Sequence, residues 1–252
     1  MKYHFITFGG GGQNYINAGK RLIREMQQTK LFHHYELYSD IHLKNDRVFW
    51  KRHGSFINAH KKGFGFYIWK PYLLNMKMNS MKDGDILMYL DAGCEMDLSK
   101  KSILQSYFGH VKKDFIIGTQ CGNGSNGLLE KYWTKSDLFT FLDAKKENIM
   151  NSPQRQGGTL LIYVNEKTRH LVKMWYETCC MYHNLDNSPS LEKIEPGFVE
   201  HRHDQSIFSV LSKKFELFSQ YSLYNCGVLV SRNISGVPKI KQGTRKPLFF
   251  FN

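Results

Sequence analysis

Two carboxylates and one ammonium group in this sequence have neighbours that suit them for chemistry at the edge of a β-sheet. Asp91 directly follows the apolar run Ile86 to Leu90, which is typical of a strand buried on both faces. Asp204 opens an apolar helical pattern, and Lys70 precedes Pro71 at another predicted helix start. A strand-end carboxylate can hold Mg²⁺ or Mn²⁺ on a diphosphate, because phosphate oxygens and water supply the other ligands. The alternative is that Asp91 only caps a turn.

The other polar side chains also have two interpretations each. Asp204 is either an ordinary N-cap or a base that takes a proton from a hydroxyl group. Lys70 either neutralises phosphate charge near a helix start or is simply solvated. His201 and His203 share a face on an extended chain, so they could contact a metal or a diphosphate. Without a third ligand nearby, however, two histidines do not make a zinc site.

Two glycine-rich segments could bring the backbone close to a ligand. Gly9 to Gly12 follow the first predicted strand, but their spacing fits neither the Walker A nor the Rossmann phosphate-binding pattern. A flexible turn is the alternative there. Gly157 and Gly158 precede an apolar strand, and the alternative for them is a loop that requires positive φ.

The order of the predicted elements indicates an α/β fold. A strand at Tyr3 to Phe8, a helix at Gln13 to Thr29 and a strand at Tyr35 to Ser39 open the chain as β-α-β, which favours a parallel sheet. We expect a mixed, mostly parallel central sheet with helices on both faces. Further strands are predicted at 86–90, 115–118 and 159–164, and further helices at 71–81, 166–182 and 204–214.

Length and composition are those of a globular chain with one domain. The 252 residues are 41% hydrophobic, which excludes global disorder. We expect a domain over residues 1–218 and a basic C-terminal segment over 219–252 that packs on this domain or extends from it. The formal net charge of +13 favours an anionic partner. The cations of the tail, with Leu248 to Phe251, could contact an anionic membrane.

Targeting signals are not evident in the sequence. The start has no secretory signal pattern, and the apolar runs are too short to span a bilayer. The five cysteines show no CxxC spacing, which argues against a disulfide framework or a structural zinc site. These features predict a cytoplasmic protein, with peripheral contact at the membrane face through the tail.

Taken in order, the first strand with its glycine-rich turn and three motif segments, the first of them within Phe64 to Leu74, resemble glycosyltransferases of the GT-A fold. The three motif segments carry most of the likeness. They are similar to the W-K-P-Y-L-[LI], Y-[LI]-D-A-G and H-D-Q-S motifs of small viral and bacterial sugar transferases. Here the motifs read Trp69 to Leu74, Tyr89 to Gly93 and His203 to Ser206, and the resemblance covers roughly residues 2–218. In that family a D-x-D motif closes on the metal and the ribose. This sequence keeps the first Asp and has Gly93 for the second, so the number of protein ligands to a metal is open.

The resemblance implies sugar transfer from a nucleotide-diphosphate sugar to a hydroxyl of a glycan, lipid-linked or protein-linked acceptor, with Mn²⁺ or Mg²⁺. It implies Asp204 as the base of an inverting enzyme, or as a group that orients the acceptor or donor in a retaining one. The implied donor and nucleotide residues are Thr7, Phe8, Gly9, Gly10, Asp40, Lys70, Asp91, Ala92 and Gly93. The implied acceptor residues are Gln156, Gly157, Gly158, His203 and Gln205, and the implied metal ligand is Asp91, either alone or helped by His201 or His203.

Two other classes of protein remain open. A nucleotidyltransferase would need two or three clustered carboxylates, and only Glu95 and Asp97 lie near Asp91 in the sequence. A nucleic-acid-binding module would fit the positive charge but requires stacking aromatics on a basic surface. The aromatic residues here lie mostly inside apolar runs, so nucleic acid is the least favoured partner.

Overall fold

The computed structural model describes residues 1–122 and 128–239. Within these ranges the strands are β1 (Tyr3–Phe8), β2 (His34–Tyr38), β3 (Ile86–Leu90), β4 (Glu95–Met96), β5 (Ile116–Gln120), β6 (Arg155–Tyr163), β7 (Phe218–Ser222) and β8 (Val228–Leu229). The helices are α1 (Gln13–Thr29), α2 (Asp40–Asn45), α3 (Arg47–Ala59), α4 (Gly63–Phe66), α5 (Trp69–Asn79), α6 (Lys101–Asp114), α7 (Glu130–Trp133), α8 (Ser136–Phe141), α9 (Glu147–Met150), α10 (Glu166–Cys180) and α11 (Asp204–Lys214).

Six strands form one central sheet in the order β2-β1-β3-β6-β5-β7. The pairs β1–β2, β1–β3 and β5–β7 are parallel, and β6 runs antiparallel to both β3 and β5. The predicted mixed, mostly parallel sheet is therefore confirmed. The carboxyl end of β3 lies beside the amino-terminal half of β6, because Leu90 pairs with Thr159. This register brings the end of the Y-L-D-A-G segment next to the glycine pair.

Strand β3 contributes to both hydrophobic cores. Its residues Ile86, Met88 and Leu90 pack with apolar residues of α1 and α6, whereas Leu87 and Tyr89 pack with α3, α5, α10 and α11. Alternation along a strand sends successive side chains to opposite faces, so an all-apolar strand needs a helical layer on each side. The predicted helices on both faces are confirmed. A side chain two residues beyond Tyr89 belongs on the face that carries α5 and α11.

Most predicted elements have bounds close to those observed. Helices α3 and α6 are not among the predicted elements, and β6 begins at Arg155 rather than at Thr159. Helix α5 begins at Trp69 rather than at Pro71. Proline is accepted there because the first-turn amides have no intrahelical partner. Lys70 is consequently inside the first turn of α5. The sequence patterns do not predict β7, an edge strand whose side chains are mostly polar and half-buried.

Residues 231–239, called here the C-terminal strap, cross the turn that follows β3. The amide of Asn233 donates to the carbonyl of Gly93 at 2.9 Å. Arg21 of α1 is 1% exposed and donates to the carbonyls of Ala92, Cys94 and Asn233 at 2.9, 2.9 and 3.1 Å. This buried guanidinium therefore joins the turn after β3 to the strap.

The aromatic end of the basic tail, Leu248 to Phe251, lies outside the described residues, as do Arg245 and Lys246. Across 1–122 and 128–239, no helix combines the length and the apolar character needed to cross a membrane.

Candidate active site

The ammonium group of Lys70 lies between the carboxylates of Asp91 and Asp204. Its Nζ atom is 3.3 Å from Oδ1 of Asp91 and 3.1 Å from Oδ2 of Asp204. The lysine side chain is only 4% exposed, and the rings of Tyr67, Trp69 and Tyr89 surround the ammonium at 5.2 to 5.8 Å. A solvated Lys70 is thus excluded.

Burial alone would lower the pKa of Lys70. The carboxylates of Asp204 and Asp91 outweigh this effect and raise that pKa above its ordinary value of 10.5. Lys70 is therefore a fixed positive charge at every physiological pH. Lys70 reaches this position because α5 begins at Trp69, two residues earlier than predicted. The first turn of α5 therefore contains Lys70 and faces the end of β3.

Asp91 is the accessible carboxylate of the pair. Its side chain is 45% exposed, against 3% for Asp204. The hydroxyl of Tyr89 donates to its Oδ1 atom, and its backbone amide donates to the carbonyl of Gly158 at 2.8 Å. These contacts fix the carboxylate at the carboxyl end of β3, where ligands bind in α/β folds.

Asp204 is the buried carboxylate. The N-cap position of α11 is taken by His203, so Asp204 is the first residue inside the helix and turns toward Lys70. The indole of Trp175 donates to the Asp204 carbonyl at 2.8 Å and anchors the helix start. Burial raises the pKa of Asp204 to about 6; Asp91 adds to this rise and Lys70 opposes it. A carboxyl group with this pKa changes protonation state near neutral pH.

The glycine pair in β6 leaves room for the two carboxylates. A Cβ atom on Gly158 would lie 2.3 Å from Oδ2 of Asp91, and one on Gly157 would lie 3.4 Å from Oδ2 of Asp204. Neither glycine has a positive φ. Glycine is present at both positions because the two carboxylates approach the backbone of β6 closely. The alternative interpretation, a loop that requires positive φ, is wrong.

Position 93, where the resemblance would lead one to expect a second Asp, has no room for a longer side chain. A Cβ atom there would lie 3.2 Å from the Cα of Arg232 in the C-terminal strap. The strap thus occupies the space that a carboxylate at position 93 would need. Because the backbone of Arg232 lies this close to Gly93, the exposed side chain of Arg232 begins beside the turn that follows Asp91.

The glycine-rich turn after β1 is held against neighbouring segments. The amide of Gly9 donates to the carbonyl of Tyr38 at 2.8 Å, and a Cβ on Gly9 would lie 2.6 Å from the carbonyl oxygen of Tyr15. A Cβ on Gly10 would lie 2.8 Å from the amide nitrogen of Asp40. Asp40 itself begins α2 and pairs with Lys44 at 3.1 Å. The turn therefore brings the ends of β1 and β2 together.

Thr7 and Phe8 lie behind this turn rather than on an open surface. Thr7 is fully buried, and its hydroxyl donates to the carbonyl of Leu90 at 2.7 Å. Phe8 stacks on Trp69 with 3.8 Å between ring centroids. Both side chains position β3 and α5, and neither faces solvent.

The two candidate histidines differ in their free nitrogens. His201 uses both: the amide of Lys135 donates to Nδ1 at 3.2 Å, and Nε2 lies 2.9 Å from the carbonyl of Asn184. This leaves no ring nitrogen of His201 for a metal. His203 uses Nδ1 toward the carbonyl of Leu185 at 2.8 Å, while its buried Nε2 has no hydrogen-bond partner within residues 1–122 and 128–239. Burial lowers the pKa of His203 to about 4, so it is a neutral acceptor.

The predicted acceptor glutamines lie beside the glycine pair. Gln205 donates from Nε2 to the side-chain carbonyl of Gln154 at 2.7 Å. Gln156 is half-buried and interacts with the thiol of Cys121. In the part of the chain that the structure describes, no group of three or more His, Cys, Asp or Glu side chains could hold a metal ion.

Strained backbone surrounds Lys70. Phe64, Phe66 and Tyr67 have φ of 55°, 52° and 66°, and His203 has φ 55° with ψ −129°. Such conformations cost of order 1–3 kcal/mol each and persist where the surroundings enforce them, often at functional sites. Here the ring of Phe66 stacks on His203 at 4.4 Å, so the two strained segments support each other.

Sequence reasoning missed three supporting residues. Tyr89 could have been found, because alternation places it on the same face as Asp91. Trp175 carries no such signal, because its partner is a distant backbone carbonyl. For Arg21 the sequence offers only the i,i+4 pair with Glu25, and its contacts with the carbonyls of the turn after β3 are equally distant in sequence.

Comparisons with known proteins give limited information. No family model matches this chain, and no curated protein matches it. Among solved structures, apo mouse xyloside xylosyltransferase 1 is 11% identical, with 87% of this chain and 84% of that chain covered and a TM-score of 0.45. Mannose-6-phosphate isomerase from Helicobacter pylori is 9% identical, with 90% and 93% covered and a TM-score of 0.39. Both TM-scores are too low to establish a common fold, so a function has to be argued from this chain's own residues.

Proposed function

We propose that this protein is a glycosyltransferase that moves a sugar from a nucleotide-diphosphate sugar to an acceptor hydroxyl. One observation carries the proposal: Lys70 is held between Asp91 and Asp204 at the carboxyl end of β3. The three residues belong to the three segments that resemble GT-A sugar transferases. Far apart in the sequence, they form one cluster.

The donor diphosphate would bind where α5 and α11 begin. The first turns of both helices lie at the cluster, and helix N-termini favour anions. Lys70 supplies a fixed positive charge for the departing diphosphate, an effect usually larger than proton transfer. Arg232 of the C-terminal strap is a second cation beside the turn.

The residues fit a divalent metal through Asp91. Its half-exposed carboxylate suits Mn²⁺ or Mg²⁺ on a diphosphate, for which one or two protein carboxylates suffice. The two carboxylates outnumber the one ammonium between them, so an incoming diphosphate needs a further cation. His203 Nε2 is the remaining candidate nitrogen ligand. When bound, the metal would polarise the phosphate oxygens and stabilise the leaving group.

Asp204 would accept the proton of the acceptor hydroxyl in an inverting mechanism. Its pKa of about 6 suits a base at neutral pH. Its Oδ2 atom is buried, so the hydroxyl reaches it only if residues 156–158 move aside, a motion that two glycines permit. In the retaining alternative, Asp204 would instead orient the acceptor or the donor sugar.

The rival classes have less support. A nucleotidyltransferase would need two or three clustered carboxylates around metal ions. Residues 1–122 and 128–239 contain no group of three or more, and in the pair of Asp91 and Asp204 the ammonium of Lys70 lies between the two carboxylates. For a nucleic-acid-binding module, the aromatic rings near Lys70 would have to be exposed, whereas Trp69 and Tyr89 are 5% and 2% exposed. The acceptor is proposed as a glycan, lipid-linked or protein-linked hydroxyl, and the basic tail as a peripheral contact with anionic membrane.

A ligand panel tests the proposal. Melting temperatures would be measured with UDP-, GDP-, CMP- and TDP-type nucleotides, each with and without Mn²⁺. We expect one nucleotide to stabilise the protein in a metal-dependent way, and Asp91→Asn to abolish this effect. Asp97→Asn is the matched control, because the Asp97 side chain caps a 3₁₀ turn by accepting from Ser99, a role that Asn can also fill. Stabilisation by none of the nucleotides, or release of pyrophosphate from a nucleoside triphosphate, would reject glycosyl transfer.

A further inference from the structure

A second polar cavity lies away from the candidate active site, between the start of β6 and the end of α11. Its volume is about 290 Å³, and its lining includes Gln120, Asn148, Ser152, Arg155, Lys213 and Phe218. Lys213 is nine residues from Asp204 along α11, which is roughly 13 Å at 1.5 Å per residue. The cavity is therefore separate from the Lys70 cluster, and a ligand there would not contact Asp91.

Arg155 presents an unused edge of its guanidinium. Its Nη1 atom donates to the hydroxyl of Ser212 at 3.0 Å, and the group stacks on Phe218 at 4.4 Å from the ring centroid. Its buried Nε has no hydrogen-bond partner among the described residues. Nε and Nη2 form the side-on edge that binds a carboxylate or phosphate with two parallel hydrogen bonds. The contact that holds the side chain thus leaves the Nε donor without an acceptor among the described residues.

Lys213 is a second buried cation in the cavity wall. Its Nζ lies 2.7 Å from both Oε1 of Glu130 and the carbonyl of Pro153. Glu130 is fully buried and also accepts from Ser209 and Thr134, so its oxygens are already used inside the protein. Arg155 and Lys213 therefore share one carboxylate.

Arg155 and Lys213 carry two positive charges, and one nearby carboxylate, Glu130, opposes them. Burial lowers the pKa of Arg155 to about 10 and lowers the pKa of Lys213, with only Glu130 among carboxylates opposing either effect. Glu216 also lines the cavity, but it is exposed and forms no ion pair with either cation within the described residues. A buried donor without a partner costs free energy that a bound oxyanion would recover.

We propose that this cavity is a second anion-binding site, which takes a small molecule through a phosphate or carboxylate group. Arg155 binds the group through its guanidinium, and Lys213 adds a second positive charge in the lining. Gln120 and Asn148 offer amide donors at the rim to the rest of the ligand. This site is independent of the function proposed for the Lys70 cluster.

Titration of the full-length protein with inorganic phosphate, and separately with acetate, tests the site. Binding would be followed by calorimetry and by melting temperature. We expect saturable binding of at least one anion, and the stronger of the two identifies the group preferred. Arg155→Met should weaken it tenfold or more without changing the response to nucleotides. Glu216→Gln should strengthen it a few-fold, because it removes a negative charge from the lining.

Lys214→Gln is the matched control. Lys214 adjoins Lys213 but donates to the carbonyl of Leu142, outside the cavity lining, so its loss should change anion affinity less than twofold. Saturable binding of neither anion would overturn the proposal, as would undiminished binding by Arg155→Met. If Arg155→Met does not fold, Glu216→Gln decides: an affinity equal to that of wild type places any bound anion elsewhere.

Discussion

A side chain at position 158 would collide with the carboxylate of Asp91. The Cβ atom of such a residue would lie 2.3 Å from Oδ2 and 2.8 Å from Cγ of Asp91. The two segments cannot separate easily, because the amide of Asp91 donates to the carbonyl of Gly158 and extends the pairing of β3 with β6. The position of the accessible carboxylate therefore depends on glycine at 158.

Gly158→Ala should displace the Asp91 carboxylate and lower kcat by roughly 10²-fold, the usual cost of a misplacement near 1 Å. Steady-state turnover of the nucleotide sugar would measure it. Gly109→Ala is the control, because a Cβ on Gly109 of α6 meets nothing within 4 Å. That control should keep full activity and gain about 0.5–1 kcal/mol of stability. Normal turnover by Gly158→Ala would remove Asp91 from the site.

The pH dependence of turnover should report Asp204. Burial raises its pKa to about 6 from the ordinary 3.8, so the base is lost as the pH falls below about 6. We expect kcat to fall tenfold per pH unit there. Asp204→Asn should lower kcat by roughly 10² to 10⁴ and abolish this limb of the profile. A limb near pH 4, or normal kcat in the variant, would leave the base unassigned.

The raised pKa of Asp204 should also make the stability of the protein depend on pH. Because the folded pKa of Asp204 is raised, its contribution to stability is fully present below about pH 4 and is lost as the pH rises through about 6. The free energy of unfolding of Asp204→Asn should therefore improve relative to wild type between these values. Urea unfolding at pH 4 and pH 7 measures the change, and no change would contradict the assigned pKa.

Lys70 and Asp204 should be energetically coupled. Lys70→Met removes one partner of a buried ion pair and should cost about 3–5 kcal/mol of stability, because Asp204 stays buried without its ammonium. Adding Asp204→Asn should recover part of this loss. Lys77→Met is the control: Lys77 pairs with the more exposed Glu36 and should cost about 1 kcal/mol or less. Additive losses in the double variant, measured by urea unfolding at pH 7, would contradict the coupling.

The metal-dependent affinity for nucleotide should require Asp91 and should not require His201. Asp91→Ala should abolish Mn²⁺-dependent nucleotide affinity and leave the melting temperature nearly unchanged, because the carboxylate is 45% exposed. His201→Gln should leave that affinity intact, because both ring nitrogens are used inside the protein. Calorimetry with and without Mn²⁺ would show this. Unchanged affinity in Asp91→Ala would mean that the metal assignment is wrong.

The sequence alone determined the elements that have a clear local pattern, although it did not predict α3 or α6. Helical periodicity placed Gln13–Thr29 and Asp204–Lys214, and the continuous apolar run placed Ile86–Leu90, with the bounds that the structure has. These patterns report contacts within a few residues and burial on one or two faces. They also placed Asp91 at a strand end, where alternation assigns its face.

Only the tertiary structure decided what each polar residue does. The sequence left Lys70 either solvated or phosphate-facing, and its burial between Asp91 and Asp204 depends on how α5 and α11 cross the end of β3. From the sequence, Gly93 was only a departure from the pattern of the resembling enzymes. In the structure, the C-terminal strap leaves no room for a longer side chain at position 93. Burial and charge proximity set the pKa of Asp204, and both arise from segments far apart in the chain. Local pattern cannot encode such contacts, because each is made by elements that meet only in the folded chain.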